Sequence, residues 1–541
     1  MKDTTANIYL QECASQNLLP RPSPLVTGHS FRLDARDVGL TDAQLNACRV
    51  CMGHVHVEAV DLEANPMLSD QTLADFLASL DASLSSLSLL SLKSCIGAGP
   101  RTEEVLLQML GGFEKLKTMD LSGIKISMQA FHRLCGEIGK HPSMDSLKLA
   151  DLGMGTSGTV GSNTLVTSLD SMLSSQTLRE LDLSWNLLDS EVLVNLGRRV
   201  RRSKLSCLRI ASCAALVTAS ESETGQSAAF LEYLSASCPL KELDISLNHL
   251  DYRTALVLED FLSLNPKLTA LDLSQNPLGP VGIRSLVRLL VREESGLSRI
   301  RFEGCSNGQP PSAIPDLQFI NTNNPGGHYK LQLERPDHRS LLRMLYKSCD
   351  RLGISASEAF SHVQYSHGNY SHPSVGEDGI YEVRTYGRLE MTFKVEKAIH
   401  QSMKVEGENF EDFFKQRNAK MRLYPSERKQ LLLFSAWRSV AKVEPDQAVF
   451  LNALARDIHL PYSLVEQICK SCANPAEVVC RLFPSFSSFA TERSLLLMHA
   501  RSISDVTQVL LSASRLMYFN VQNPTGHYRL DLSNPAEYSV A

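Results

Sequence analysis

The chain has 541 residues, of which 43% are hydrophobic, so we expect two or three packed domains. The formal net charge of −5, without long runs of one sign, provides no global basic field, and we expect no nucleic-acid partner. No stretch approaches 18 consecutive apolar residues, and residues 1–19 lack the pattern of a secretory signal, so we expect neither a membrane span nor secretion. Thirteen cysteines without a disulfide framework predict free thiols and a cytoplasmic location.

The first predicted parts are an N-terminal segment or cap, residues 1–29, and about ten repeats over residues 30–306. The signature L-x-x-L-x-L-x-x-N-x-L is clearest at Leu268–Leu278. In the second half of that unit, residues 281–290 carry apolar side chains at helical spacing. Each unit is therefore predicted to form a strand and a helix, and stacked units bury a shared core. The second leucine of the signature recurs at intervals of 27 to 35 residues, at Leu33, Val60, Leu90, Met119, Leu147, Leu181, Leu208, Leu243, Leu271 and Ile300.

This pattern resembles the ribonuclease-inhibitor type of leucine-rich repeat, over roughly residues 30 to 310. The resemblance implies an α/β solenoid, a curved parallel sheet with outer helices, and a protein that binds other proteins. Cys95, Cys213 and Cys305 occupy the asparagine position of the motif, which the motif allows.

The concave face of the strands is the predicted protein-binding surface. Because strand residues alternate sides, the residue after each second leucine faces this surface. Trp185 and Leu247 lie beside the turn asparagine, and we expect both to be exposed. Trp185 is the candidate anchor, since tryptophan is enriched at interface hot spots, and the alternative is that it packs against the next repeat. The predicted binding residues are Trp185, Leu247, Asp182, Arg209, Asp244, Asp272 and Arg301.

Two motifs within the repeats allow a chemical alternative. Gly153–Gly158 matches G-x-G-x-x-G, but a dinucleotide site needs a βαβ unit and a later acidic residue. Cys48, Cys51, His54 and His56 are zinc-type ligands, but they lie on a predicted helix and on the approach to a strand. The chain has no P-loop, no G-x-S-x-G and no H-E-x-x-H motif. We therefore expect no catalytic residue, no cofactor, no metal ion and no small-molecule substrate.

The C-terminal half is predicted to contain four segments. A proline-rich linker spans residues 307–317. A β-rich module with one helix spans residues 318–395, and a bundle of short helices spans residues 396–517. The last segment, residues 518–541, carries a second copy of a strand motif from the β-rich module.

That motif is Asn324-Pro-Gly-Gly-His-Tyr-Lys-Leu-Gln-Leu333, a turn followed by an alternating strand, and it recurs at residues 523–532. Its histidine is predicted to serve the turn. A helix is predicted from about Pro336 to Leu352. Two further strands are predicted in Ile380–Val395. A stretch with three histidines, His362, His367 and His372, is predicted to be a polar loop before them, and the alternatives are a partner-binding loop or a metal-binding loop.

The C-terminal half resembles a module attached to leucine-rich-repeat proteins of cilia and flagella, over about residues 318 to 541. The resemblance is carried by the duplicated motif, by Tyr386–Phe393 and by a helical stretch with Asp446 and Phe450. It implies a structural component of the ciliary or flagellar axoneme. Such a protein is expected to dock axonemal or microtubule-associated partners through the concave solenoid face and the C-terminal module. The alternative is a soluble cytosolic regulator or inhibitor that binds a single enzyme or cytoskeletal partner.

Overall fold

The computed structural model describes residues 2–21, 25, 30–155, 162–213, 230–234, 237–307, 325–376, 379–394, 425–458 and 460–482. The predicted segment 518–541 and most of the predicted linker 307–317 lie outside the described residues. The chain divides into two compact units. The first comprises Met1–Ser220 and Cys238–Asn248, and the second comprises Glu221–Ser237 and His249–Ala541.

The first unit contains eight parallel strands that pair in chain order. Each has three residues, and the middle one is a predicted second leucine, which is buried. The middle residues of neighbouring strands are paired in the register of the sheet, beginning with Leu33 opposite Val60. The predicted α/β leucine-rich-repeat solenoid is therefore confirmed. The strands are β1 Arg32–Asp34, β2 Ala59–Asp61, β3 Leu89–Ser91, β4 Thr118–Asp120, β5 Ser146–Lys148, β6 Glu180–Asp182, β7 Cys207–Arg209 and β8 Glu242–Asp244.

Amphipathic helices follow the strands of the first unit. In Met128–Lys140, for example, Phe131, Leu134 and Ile138 are buried at helical spacing. Neighbouring helices pack against one another, so each unit buries the apolar stripe of the next. These helices are Asp42–Met52, Asp70–Ala78, Pro100–Leu110, Met128–Lys140, Ser162–Leu173 and Ser190–Val200, with a 3₁₀ turn at Ser79–Ser83. A further helix, Lys2–Ser15, precedes β1.

The second unit contains two further repeat strands and a separate antiparallel sheet. Strands β9 (Ala270–Asp272) and β10 (Arg299–Arg301) are parallel. The sheet has the order β11-β13-β12, and its strands are β11 Gly327–Gln332, β12 Phe360–Tyr365 and β13 Arg388–Phe393. The described helices of this unit are Tyr252–Leu262, Gly279–Val291, Pro336–Leu352, Ala356–Ala359, Glu427–Val440, Glu444–Asp457, Tyr462–Ser471 and Pro475–Leu482. No helix in the described part of the chain combines the length and apolar character needed to cross a bilayer.

The prediction of two strands in Ile380–Val395 is wrong. The described residues of this stretch form one strand, β13, which pairs with β11 and β12. Strand β12 includes the first residues of the stretch predicted to be a polar loop, whereas His367 and His372 lie in the loop that follows Tyr365. The strand contains an irregular register, with His362 at a positive φ of 53°. Because of this bulge, Phe360 and Tyr365 both enter the core despite their odd spacing, which hides the alternation expected of a strand.

A helix of the C-terminal bundle completes the last repeat. In the ninth repeat, the Gln275 N–H donates to the carbonyl of Glu303 in the tenth, at 2.8 Å. The equivalent N–H of the tenth repeat, that of Gly304, donates instead to the carboxylate of Asp446, at 2.7 Å. The other oxygen of Asp446 accepts the N–H of Ser306, at 3.0 Å. Asp446 thus takes the role that a following repeat has elsewhere, and this limits the exposed edge of the sheet.

Candidate protein-interaction surface

The fourth residue after each middle strand residue has a left-handed backbone in all ten repeats, with φ between 49° and 76°. In eight of the ten repeats its N–H donates to a carbonyl of the next repeat; the Trp185 N–H, for example, donates to the carbonyl of Ala211 at 2.8 Å. We call this position the left-handed slot. Its occupants are Asp37, Ala64, Ser94, Gly123, Asp151, Trp185, Ser212, Leu247, Gln275 and Gly304.

Trp185 and Leu247 are the two large apolar residues of the left-handed slot. The structure exposes 58% of Trp185 and 39% of Leu247. A left-handed backbone is unfavourable for a bulky residue. A side chain this exposed buries little apolar surface, so its packing offsets little of that conformational free energy. An observed backbone outlier of this kind supports the hypothesis that the residue has a functional role. The role of both residues in binding stays a prediction.

The predicted aspartates also stabilise the backbone of the repeat. One carboxylate oxygen of Asp182 accepts the N–H of Ser184 at 2.9 Å. Asp244 accepts the N–H of Ser246 in the same way, at 3.0 Å. Asp272 makes the equivalent bond in the second unit. Each aspartate therefore fixes the turn after its strand, and this contact also fixes the position of its charge.

The structure brings some of the predicted residues together. Asp182, Arg209 and Asp244 lie opposite one another in the register of β6, β7 and β8. Adjacent strands are about 4.8 Å apart, so the three side chains form one row. Arg301 and Asp272 belong to the second unit, where they form an ion pair of 3.2 Å. The seven predicted residues are therefore divided between the two units.

Two acidic residues of the same strands are missing from the predicted set. Glu180 and Glu242 precede the middle leucine by one position, so they face the same side as Asp182 and Asp244. Between them lies Cys207, which is buried. Burial raises the pKa of the Cys207 thiol to about 11, with Arg209 opposing and the nearby carboxylates adding to the increase. The alternation of strand residues was the signal that could have identified both glutamates.

The G-x-G-x-x-G stretch has a structural explanation in its described residues. A Cβ atom on Gly155 would lie 1.8 Å from the carbonyl oxygen of Leu187. The Leu187 N–H donates to the carbonyl of Met154 at 2.9 Å, which holds the two repeats in contact at this point. The glycine at 155 therefore permits close approach of two backbones.

The two cysteines among the predicted zinc-type residues belong to the buried side of a repeat helix. Cys48 and Cys51 are buried on the helix Asp42–Met52. Burial raises the pKa of Cys48 to about 12 and that of Cys51 to about 11, which disfavours the thiolate that a metal would need. No group of three histidine, cysteine or acidic residues in the described ranges is arranged to hold a metal ion.

Comparisons with known proteins agree with the repeat pattern. A family model described as Leucine Rich repeat matches residues 174–191 and 264–287. Two similar curated proteins are both named Tonsoku-like protein. The Bos taurus protein is 28% identical over 288 residues, 52% of this chain and 20% of the relative. The Mus musculus protein is 32% identical over 146 residues, 26% of this chain and 10% of the relative. The aligned parts thus span a fifth or less of these relatives.

Similar solved structures include two bacterial proteins. The leucine-rich-repeat-containing protein LegL7 from Legionella pneumophila has a TM-score of 0.34 at 17% identity, covering 58% of this chain and 86% of that chain. An internalin from Listeria monocytogenes has a TM-score of 0.28 at 12% identity, covering 57% and 90%.

Proposed function

We propose that this leucine-rich-repeat protein is a non-enzymatic scaffold that binds other proteins through the exposed face of β6–β8. The observation that carries the proposal is the exposed indole of Trp185 in the left-handed slot. Tryptophan is enriched among the residues that dominate interface energy. Leu247 occupies the same slot two repeats later, so two apolar side chains project at one edge of this face.

The absence of enzymatic activity is part of the proposal. His328, which recurs as His527 in the duplicated motif, lies in β11 and bonds across the sheet to Thr392 and Glu390. These contacts explain His328 as a sheet residue rather than a residue of the turn. His527 lies outside the described residues. The expectation of no nucleic-acid partner likewise stays a prediction.

Site-specific photo-crosslinking tests the scaffold role. A photoreactive residue at Ser212, between Trp185 and Leu247 in the left-handed slot, should crosslink a protein partner in cell extract. The same residue at Asn195, on an outer helix, is the positional control. Trp185→Gly should abolish the crosslink without unfolding the chain, because glycine adopts the left-handed backbone readily.

Ala64→Gly, in the same slot of the second repeat, is the matched control and should leave the crosslink intact. A crosslink that survives Trp185→Gly, or one equally strong from position 195, would refute binding at this face.

We further propose that the scaffold belongs to the ciliary or flagellar axoneme. The support is the resemblance of the motif Asn324–Leu333 and the helices after it to modules of axonemal proteins. Neither curated relative is named for a cilium. Proximity labelling with a tag at Met1 in a ciliated cell tests the location. Labelling of tubulin and axonemal proteins along the cilium is expected, whereas a diffuse signal with one soluble partner would contradict it and favour the regulator.

A further inference from the structure

The strands β6, β7 and β8 concentrate negative charge on their exposed face. We call the residues on either side of the three middle leucines the acidic face: Glu180, Asp182, Cys207, Arg209, Glu242 and Asp244. Four are carboxylates and one is a guanidinium, so the face has an excess of three negative charges. The carboxylates lie two to a strand, on β6 and β8, about 6.6 Å apart along each strand and about 10 Å apart across β7. Within each strand they are therefore inside the screening length of physiological salt, about 8 Å.

The charge is local to these three strands. At the same positions of β1 to β5, the charged residues are Arg32, Asp34, Asp61, Asp120 and Lys148, so the excess there is one negative charge over five strands. Lys148 moreover lies 3.5 Å from the carboxylate of Asp120. The acidic face therefore differs from the rest of the sheet of the first unit, although the same backbone builds both.

The exposed aromatic residue follows directly after one strand of the acidic face. Trp185 follows Asp182, the last residue of β6, by three positions, so the Cα atoms of the two residues lie within about 11 Å of each other. An indole face attracts a guanidinium or ammonium group. Carboxylates beside an exposed indole therefore suit a partner that is positively charged and carries long side chains with apolar stems.

We propose that the acidic face and Trp185 bind an arginine- or lysine-rich segment of a partner protein. One basic side chain lies against the Trp185 indole, and others contact the carboxylates of Asp182 and Asp244. The hydrogen bonds from Ser184 and Ser246 hold these two carboxylates before binding, so little side-chain freedom is lost on association. The inference rests on the proposed scaffold function and names the chemical class of its partner.

Fluorescence of the full chain provides a direct test. The protein has two tryptophans, and Trp437 is fully buried, so the solvent-exposed emission reports on Trp185. The probe is a peptide of four Gly-Arg repeats with blocked ends, and the matched control peptide has four Gly-Glu repeats. We expect the arginine peptide to change the emission of Trp185 saturably and in a salt-dependent way, and the glutamate peptide to have no effect. Caesium ions should also quench Trp185 more efficiently than iodide does.

Matched variants locate the binding. Asp182→Asn with Asp244→Asn keeps an oxygen acceptor for each turn but removes two charges, and should weaken binding of the arginine peptide about fivefold at low salt. Asp120→Asn is the control, because Asp120 makes the same turn contact with the N–H of Ser122 on a strand outside the acidic face. We expect no more than a small change for this control.

Two results would overturn the inference: no response to the arginine peptide, or equal weakening by Asp120→Asn and by the double variant. Such a failure is distinguishable from failure of the scaffold function. A partner crosslinked at position 212 and lost in Trp185→Gly, without any affinity for the arginine peptide, would leave the scaffold in place and refute only the basic partner.

Discussion

At one buried position of the repeat, different side chains form hydrogen bonds with the same backbone groups. The Asn186 amide donates to the carbonyls of Leu149 and Leu183, both at 2.8 Å, and its oxygen accepts the Leu152 N–H. In the next repeat Cys213 occupies this position, and its thiol donates to the carbonyl of Leu183 at 3.0 Å. Cys95 and Cys305 make equivalent contacts, which confirms the predicted substitution of cysteine for asparagine. Asparagine binds more groups because it has two donors and an acceptor.

Asn186→Ala should therefore destabilise the first unit strongly. The substitution leaves buried carbonyl and N–H groups without partners, and we expect the free energy of unfolding to fall by about 3 kcal/mol. Urea denaturation followed by circular dichroism measures this. Asn195→Ala, at a half-buried position on a helix surface, should change the free energy of unfolding by less than about 0.5 kcal/mol. Similar midpoints for the two variants would contradict the importance of the buried amide.

At the scale of elements, acidic residues in one helix cap the start of the next. A carboxylate oxygen of Asp42 accepts the N–H of Ser69, the residue before the helix Asp70–Ala78. Asp70 in turn accepts the N–H groups of Gly99 and Thr102, at the start of the following helix. Because free N–H groups and a positive dipole lie at a helix start, each carboxylate links two repeats electrostatically.

This arrangement predicts a loss of stability in acid. Burial alone would raise the pKa of Asp70, but hydrogen bonds from Thr102, Arg101 and Gly99 outweigh burial and lower it. Since the folded-state pKa lies below the unfolded one, the stabilisation is fully present above the unfolded value of about 3.9 and is lost as pH falls through the folded pKa. Urea denaturation from pH 6 downward should show a shallower decline for Asp70→Asn than for the unmodified chain. Asp81→Asn, an exposed change, should keep the original slope; equal slopes for all three would refute the capping role.

The contact between Asp446 and the last repeat leads to a second prediction for elements. Asp446 is buried and accepts two N–H groups, those of Gly304 and Ser306, and Phe450 on the same helix packs against Phe302 at 5.7 Å. Asp446→Ala should lower the free energy of unfolding by about 3 kcal/mol, because two charge-assisted hydrogen bonds are lost.

Hydrogen exchange measures the effect locally. Protection of the Gly304 and Ser306 amides should fall in Asp446→Ala, whereas Glu466→Ala, which removes a surface ion pair with Lys470, should leave it unchanged. Full protection in Asp446→Ala would show that this carboxylate does not complete the repeat.

At the scale of the molecule, a buried charge cluster joins distant parts of the second unit. The Arg288 guanidinium donates two hydrogen bonds to Glu259, at 2.7 and 2.6 Å, and one to Asp457, at 3.0 Å. Arg284 adds a bidentate pair with Asp457. Burial would raise the pKa of Asp457, but Arg288 and Arg284 outweigh it, so the carboxyl pKa is lowered. The cluster connects the repeat helices to a helix about 170 residues later in the chain.

Arg288→Leu should destabilise the second unit by about 3 to 5 kcal/mol, because the buried carboxylate of Glu259 loses its bidentate partner and that of Asp457 keeps only Arg284. Thermal denaturation with limited proteolysis should show earlier cleavage within residues 249–482. Arg199→Leu, which breaks a half-exposed pair with Asp170, should cost less than about 1 kcal/mol. Equal effects from the two variants would mean that the buried cluster contributes no more than a surface pair.

The sequence by itself determined the repeats of this protein. All ten predicted leucine positions are the middle residues of strands. They were predictable because a buried strand position that recurs every 27 to 35 residues requires an apolar residue at the same interval in the sequence. The helix Pro336–Leu352 was also predictable, since proline at its start and helical spacing are local signals.

Only the tertiary structure decided the remaining features. The bulge in β12 concealed a strand, and the left-handed slot of Trp185 depends on a hydrogen bond to the next repeat. Asp446 lies 142 residues from the glycine whose N–H it accepts, and Arg288 lies 169 residues from Asp457. Such contacts have no period and no fixed spacing, so they arise when distant segments pack together and cannot be derived from local pattern alone.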